Sequence, residues 1–269
     1  MSVRMAAEGR PSPAFARVAA EGRPSPAFAR VAAEGRQGPA SVSVIVPVFN
    51  EASTIDALQD QFDRIDFAGS RCEVIFVDGG STDGTRDRVR APYRLIDQEG
   101  RGRGGALNTG ARAAAGEVLF FLHCDSVLPE GAFREIGEVL SRVRVGTFGI
   151  RFSELTPVLM LCQVMSNLRV RFRHISYGDQ GLFVERDLFF KAGMFPDVPL
   201  MEDFQFALNL KRLGEPIGMT RDRIRTSARR FPNGEINRLR TWVSMARLRS
   251  RYVKGASPEE LALVYGNVR

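Results

Sequence analysis

FFLHCDS, Phe120–Ser126, closes an apolar run on His123 and Asp125, two residues whose types and spacing could hold a metal ion. An ionised carboxylate at the end of a buried strand is costly unless a partner or a cation meets it. The two-residue period of a strand would turn Leu119, Phe121, His123 and Asp125 to one face. Asp125 then offers a hard oxygen ligand to Mg2+ or Mn2+, and His123 either joins it or contacts the substrate. The competing reading is a hydrogen-bonded strand end with no cation.

Other stretches carry groups of the same kind. In VDGGSTDGT, Val77–Thr85, glycines and a Ser/Thr/Asp helix start explain a tight turn after a strand, whereas Asp78 is expected to accept hydrogen bonds from a nucleobase or ribose. EGRGRGGALNTG, Glu99–Gly110, reads as a phosphate-facing loop in which backbone amides and Arg101 or Arg103 meet a pyrophosphate. Its G-x-G-x-x-G match lacks the following strand and acid of a dinucleotide fold. PLMEDFQFALNLKRLG opens with Pro199 and places Glu202 and Asp203 in a first helical turn, where acids suit the helix dipole. Capping alone would explain one acid of the two.

The elements that must position these groups alternate. SVSVIVPVF, a helix over about 51–65, CEVIFVD, a short helix after Ser81 and YRLID come first. A helix over 106–115, the strand VLFFLHCD and a helix over 130–143 follow. Near-continuous apolar strands alternating with helices predict an α/β fold, a mostly parallel sheet with helices on both faces. Such sheets bind ligands outside the carboxyl ends of their strands. Asn50 and Glu51, Asp78, and His123 with Asp125 fall at three of those ends.

Composition narrows the functions. The three cysteines are far apart in apolar segments, which predicts reduced core residues and a cytoplasmic compartment. No apolar run reaches the roughly 18 residues of a membrane span, the interrupted stretch over 155–165 being the nearest. The net charge of +7 is uneven. Residues 41–220 hold 20 basic and 24 acidic side chains, and residues 221–254 hold 11 and two. The acidic main body argues against a nucleic-acid partner. AAEGRPSPAFARV occurs twice from Ala6 and restarts at Ala32, so residues 1–40 are expected to form a disordered tail. At the other end, residues 232–269 read as a helical extension. Asn237–Val253 sets Leu239, Trp242, Val243 and Ala246 on one stripe, which either packs on the main domain or lies at a membrane surface.

VIVPVFNE, VDGGSTDGT, GRGGALNTGA, FFLHCDS and LMEDFQFALNLKRLG, in this order and spacing, resemble glycosyltransferase family 2 with its GT-A fold. With YGDQGLFV and SARRF the likeness extends to the radical-SAM/selenodomain-associated transferase 2 subgroup. It covers about residues 41–231. The resemblance implies an inverting, metal-dependent transfer of a sugar from a nucleotide donor, a UDP-sugar first, to an acceptor hydroxyl. It implies that Glu51 and Asp78 hold the nucleoside, that Asp125 is the last acid of the metal-binding motif, and that Asp203 is the general base with Glu202 supporting it. Asp179 and Gln180 would line the acceptor or sugar pocket, and Arg229 and Arg230 would meet the diphosphate. The chain departs from the family pattern at His123 and at Gly79, where the family carries acids. A sugar nucleotidyltransferase is the second reading, but it would want a glycine-rich loop after the first strand, and PVFNEAS has no glycine. A non-enzymatic basic adaptor is the third, and it has no use for the acids at 78, 125 and 203.

Overall fold

A computed structural model describes residues 39–229, 231 and 233–265. Its seven-stranded sheet has the order β3-β2-β1-β4-β6-β5-β7. The strands are β1 (Ser41–Val48), β2 (Arg71–Asp78), β3 (Arg94–Asp97), β4 (Val118–Phe121), β5 (Val145–Phe152), β6 (Leu182–Glu185) and β7 (Ile217–Thr226). The pairs β3-β2, β2-β1, β1-β4 and β5-β7 are parallel, while β6 runs antiparallel to β4 and β5. The expected mostly parallel sheet is present. The repeat-bearing residues 1–38 lie outside the described residues.

The period of two in the central strands sorts their side chains into two cores. Val42, Val44, Val46, Phe76 and Phe120 face one layer, formed by α1 (Ile55–Phe62), α3 (Ala132–Leu140) and the start of α4 (Pro157–Arg173). Ile45, Ile75, Val77, Leu119 and Phe121 face the other, formed by α2 (Gly102–Ala113), the short α5 (Arg186–Lys191) and α6 (Glu202–Arg212). α2 comes so close to the sheet that a Cβ at Gly110 would lie 2.4 Å from Ile45 Cγ2.

α4 runs along the edge of β5 that β6 leaves open. Asn167 Oδ1 accepts from Ile150 N at 2.9 Å, and its Nδ2 donates to Ile150 O at 3.1 Å. Gln163 Oε1 accepts from Phe152 N. Amide side chains thus satisfy strand groups that would otherwise template another strand. α7 (Glu235–Val253) and α8 (Pro258–Tyr265) close the chain. Leu248 and Leu261 pack with Met201 and Phe204 of the α6 region, and Trp242 packs on the main core. The C-terminal helix therefore packs on the main domain, through Trp242, Met245, Leu248 and Tyr252; of the expected stripe, Leu239 and Ala246 face outward.

Several expected elements shift. The first helix is shorter than 51–65, because Asn50 takes a left-handed φ of 55° and Glu51 begins a turn. The segment after Ser81 makes only a 3-10 turn, Arg86–Arg88. The glycine-rich stretch expected as a loop is the first turn of α2. β4 stops at Phe121 rather than running on to Asp125.

Candidate active site

The early end of β4 decides how its two polar residues are used. Leu122 N still donates to Ile45 O, but Ser126 N then donates back to His123 O at 3.1 Å, so residues 123–126 form a turn. Strand alternation no longer applies, and the expected His123–Asp125 pairing on one face is not what the structure shows. His123 Nε2 lies 3.3 Å from Arg103 Nη1. Asp125 Oδ2 lies 3.1 Å from Arg229 Nε.

Arg229 joins Asp125 to Glu51. Its Nη2 and Nη1 reach Glu51 Oε1 and Oε2 at 2.8 and 3.1 Å. The hydrogen bonds to Glu51 hold the guanidinium charge above its ordinary pKa, against the cost of partial burial. Glu51 also accepts from Thr54 Oγ1 at 2.6 Å, which orients it toward the rim. Arg230 lies outside the described residues.

The turn after β2 abuts this group. Asn50 Oδ1 accepts from Thr82 N, and Asn50 N donates to Ser81 Oγ. Asp78 serves that turn rather than standing open to a base or ribose. Its Oδ2 accepts from Gly80 N and Ser81 N at 3.1 Å and from Arg86 Nη1 at 2.7 Å. Burial raises the Asp78 carboxyl, but the donors of Ser81, Arg86 and Gly80 outweigh it and hold the pKa below the usual carboxylate range. The acid is the acceptor that the turn requires.

On the other side of His123, Arg103 rises from the first turn of α2 and meets the two acids that open α6. Its Nε lies 2.5 Å from Glu202 Oε1 and its Nη2 lies 3.0 Å from Asp203 Oδ2. The expected contact of Arg103 with a pyrophosphate presumes a loop; as a helical residue it points across to α6 instead. Arg101 is the residue just before α2 and is exposed. Burial opposes the Arg103 charge, and the carboxylates of Glu202 and Asp203 more than offset it, so the guanidinium is held above its ordinary pKa. Burial pushes Glu202 up, with Arg103 pulling against it. Asp203 Oδ2 also accepts from Gly178 N at 2.8 Å, and its Oδ1 from Phe204 N at 2.7 Å. Three of the carboxylate's four lone-pair positions are thus used, and one on Oδ1 is left for a further donor.

Tyr177, Gly178, His123, Arg103 and Asp203 line one pocket, floored by Phe121, Leu182 and Phe206. Sequence reasoning missed Tyr177 and Arg169. Arg169 Cζ lies 3.6 Å above the Tyr177 ring, and its Nη2 donates to Gln180 Oε1 at 2.9 Å. Gln180 is fully buried and holds Arg169 and Tyr177 N from beneath, so it supports the pocket wall instead of lining it. Asp179 sits in the same 3-10 turn, Gly178–Gln180, with Oδ1 buried and unbonded. The only signal in the sequence was the polar YGDQG before an apolar strand.

The rim is therefore continuous. Contacts run from Asp78 through Ser81, Asn50, Glu51 and Arg229 to Asp125; the turn of residues 123–126 carries Asp125 and His123 together, and from His123 contacts run through Arg103 to Glu202 and Asp203. Among the described residues no three His, Cys, Asp or Glu side chains cluster as a complete metal cage. A cation bound mainly through substrate phosphates needs only one or two carboxylates. Asp125, with Glu51 close enough to share one guanidinium, meets that requirement, and His123 points away toward Arg103.

The mostly parallel sheet flanked by helices is the architecture of the GT-A fold. Residues 43–156 match the family described as glycosyl transferase family 2. Glycosyltransferase AglE of Haloferax volcanii is 38% identical over 91 residues, 31% of this chain and 30% of AglE. The matched stretch is thus under a third of that relative's length. Among solved structures, a Pyrobaculum calidifontis mannosyltransferase in complex with GDP-Man and Mn2+ aligns with a TM-score of 0.57 and 24% identity, over 83% of this chain and 68% of that one. Glucosyl-3-phosphoglycerate synthase of Mycobacterium tuberculosis, in complex with Mn2+, UDP-glucose and phosphoglyceric acid, aligns at 0.51 and 22%, over 75% of this chain and 78% of that one. These two likenesses establish the fold.

Proposed function

We propose that this protein transfers a sugar from a nucleotide-sugar donor to an acceptor hydroxyl with inversion at the anomeric carbon. The observation that carries this reading is the unbroken rim from Asp78 to Asp203, which sets a cation-attracting carboxylate, an arginine and a candidate base along one crevice of a family 2 domain. The structural neighbours bind GDP-Man and UDP-glucose, which supports a nucleotide sugar and leaves uridine and guanosine donors as the two to compare. The motifs YGDQGLFV and SARRF favour the radical-SAM/selenodomain-associated subgroup.

Asp203 accepts the proton of the acceptor hydroxyl through its remaining Oδ1 lone pair. The acceptor oxygen forms its bond to the anomeric carbon as the bond to the diphosphate oxygen breaks, and the electron pair leaves with the nucleoside diphosphate. Arg103 and the Gly178 amide orient the base, and Glu202 holds Arg103 in place. Arg229, and Arg101 at the mouth of α2, supply positive charge toward the diphosphate. Asp125 would hold a divalent cation, with Glu51 beside it; when bound, the cation adds positive charge to the leaving diphosphate. The acceptor would enter beside Tyr177 and Asp179. Contact of residues 237–253 with a membrane surface would suit a lipid-linked acceptor, and vesicle flotation tests it.

A thermal-shift panel of UDP, GDP, CDP and dTDP, with and without Mn2+, tests the reading. One nucleotide should raise the melting temperature, and Mn2+ should enlarge that rise, because a ligand that binds only the folded state stabilises it. No response to any nucleotide would refute the proposal. The nucleotidyltransferase reading predicts a response to nucleoside triphosphates instead.

A further inference from the structure

α4 is apolar on both of its sides. Leu159, Cys162 and Val170 face the protein interior. Met160, Leu161, Val164, Met165, Leu168 and Phe172 face outward and are 40 to 72% exposed. At about 100° per residue these six fall within about 140° of one another, a single outer stripe. An exposed apolar stripe on the side away from the buried face calls for a second cover.

The spacing within the stripe indicates what covers it. Leu161, Met165, Leu168 and Phe172 follow each other at intervals of four, three and four residues, the a/d pattern of a helix-packing seam. A bilayer asks for apolar area and a charged opposite face, and has no need of a seam. No charged residue occurs from Pro157 to Leu168, whereas Arg171 and Arg173 close the helix. At the other end Glu154 and Glu235 share the guanidinium of buried Arg238, leaving that end one negative charge in excess. The helix is thus uncharged along its middle, negative at its start and positive at its end.

We propose that this face is the two-fold interface of a homodimer, in which α4 packs antiparallel on α4 of a second copy. A two-fold axis near Met165 and Leu168 seats the same stripe on itself and places the Arg171 and Arg173 end of each copy against the Glu154 end of the other. A parallel arrangement would set like charges together. A stable interface buries roughly 800 Å2 per partner. Leu155, two residues before α4, and Ile236 and Leu239, in the first two turns of α7, which packs on α4, are exposed apolar residues as well. The dimer would also brace the pocket wall, since the last turns of α4 carry Arg169 beneath Tyr177.

Sedimentation of the full chain at tens of micromolar should give twice the monomer mass. Leu168→Glu should weaken self-association at least tenfold, while the nucleotide-induced thermal shift persists and shows that the variant is folded. Should Leu168→Glu not fold, Met165→Cys serves instead, made in a Cys72→Ser background because Cys72 is only half-buried: near the axis the introduced thiol should form an intermolecular disulfide on oxidation, which the Cys72→Ser protein with buried Cys124 and Cys162 does not. A wild-type monomer at that concentration overturns the proposal. So does a dimer that is indifferent to Leu168→Glu and that Met165→Cys fails to cross-link. Flotation of a monomer with phosphatidylglycerol-containing vesicles, lost in Leu168→Glu, would also overturn it and assign the face to lipid.

Discussion

Arg103 Nη2 lies 3.0 Å from Asp203 Oδ2 although 100 residues separate them, and the same guanidinium is the ion-pair partner of Glu202. One residue of α2 thus fixes both acids of α6. Glu202 has only 5% of its side chain exposed, so removing its partner strands a buried carboxylate. Arg103→Leu should destabilise the fold by about 3–5 kcal/mol. Adding Glu202→Gln should recover a large part of that loss. Denaturant unfolding of the two variants checks the coupling, and additive effects would show that the ion pair is not what holds α2 to α6.

Asp203 differs from Glu202 in reaching the pocket. Asp203→Asn keeps the acceptor oxygen for Gly178 or Phe204 but cannot take a proton. Turnover should fall by about 10² to 10⁴. The dissociation constant for the nucleotide that passes the thermal-shift panel should change less than threefold. Full activity in this variant would move the base elsewhere.

Much of this site was legible in the sequence because short-range patterns encode it. The polar residues at or after the strand ends, Asn50, Asp78 and Asp125, are legible as apolar runs closing on polar residues, though β4 itself stops at Phe121. The ion-pair partners are not. Arg103–Glu202, Arg229–Glu51 and Arg229–Asp125 join residues 99, 178 and 104 positions apart, and no local period reports such contacts. At Asp78 the sequence does not show the structural role, an acceptor for the Gly80 and Ser81 amides and for Arg86, because the turn's geometry is not legible from residue types. β5 and β7 give no clear signal in the sequence, because β5, paired with both β6 and β7, is broken by Gly146 and Gly149, and β7 alternates arginine with apolar residues on a half-exposed edge.

Arg229 Nε lies 3.1 Å from Asp125 Oδ2, the carboxylate proposed above to hold the cation, so on that proposal the two positive groups compete for one carboxylate. Arg229→Gln removes the competitor and leaves Asp125 and Glu51 in place. In a Mn2+ titration at saturating UDP or GDP, the midpoint should fall severalfold in this variant. Asp125→Asn should abolish the Mn2+ response. An Arg229→Gln midpoint higher than the wild type's would mean that the guanidinium helps to hold the cation-nucleotide complex and does not displace it.

Gly110 permits the close approach of α2 to the sheet. An added methyl would lie 2.4 Å from Ile45 Cγ2 and 3.0 Å from Val77 Cγ2, side chains that are themselves buried in β1 and β2. Gly110→Ala gains about 1 kcal/mol of helix propensity and incurs overpacking of about 1–3 kcal/mol. The overpacking should win, because both neighbours are β-branched and locked in the sheet. A melting temperature lower by several degrees, with Arg103 moved along with α2 and turnover reduced, is the expected result. A variant more stable than the wild type would show that α2 can ride outward at no cost.

Asp78 makes a prediction about acid. Its pKa in the folded protein is held below the unfolded value of about 3.9, so the carboxylate stabilises the fold above that value. The contribution is lost as pH falls through the unfolded value toward the lower folded one. Asp78→Asn removes the charge from Arg86 and sets an amide against the Gly80 and Ser81 amides, a loss of about 1–3 kcal/mol at neutral pH. The gap between wild type and variant should therefore be widest near neutrality and shrink below about pH 4. Thermal melts of both proteins across that range measure it. A gap that stays constant into acid would show that the loss came from packing and that the charge on Asp78 contributes nothing.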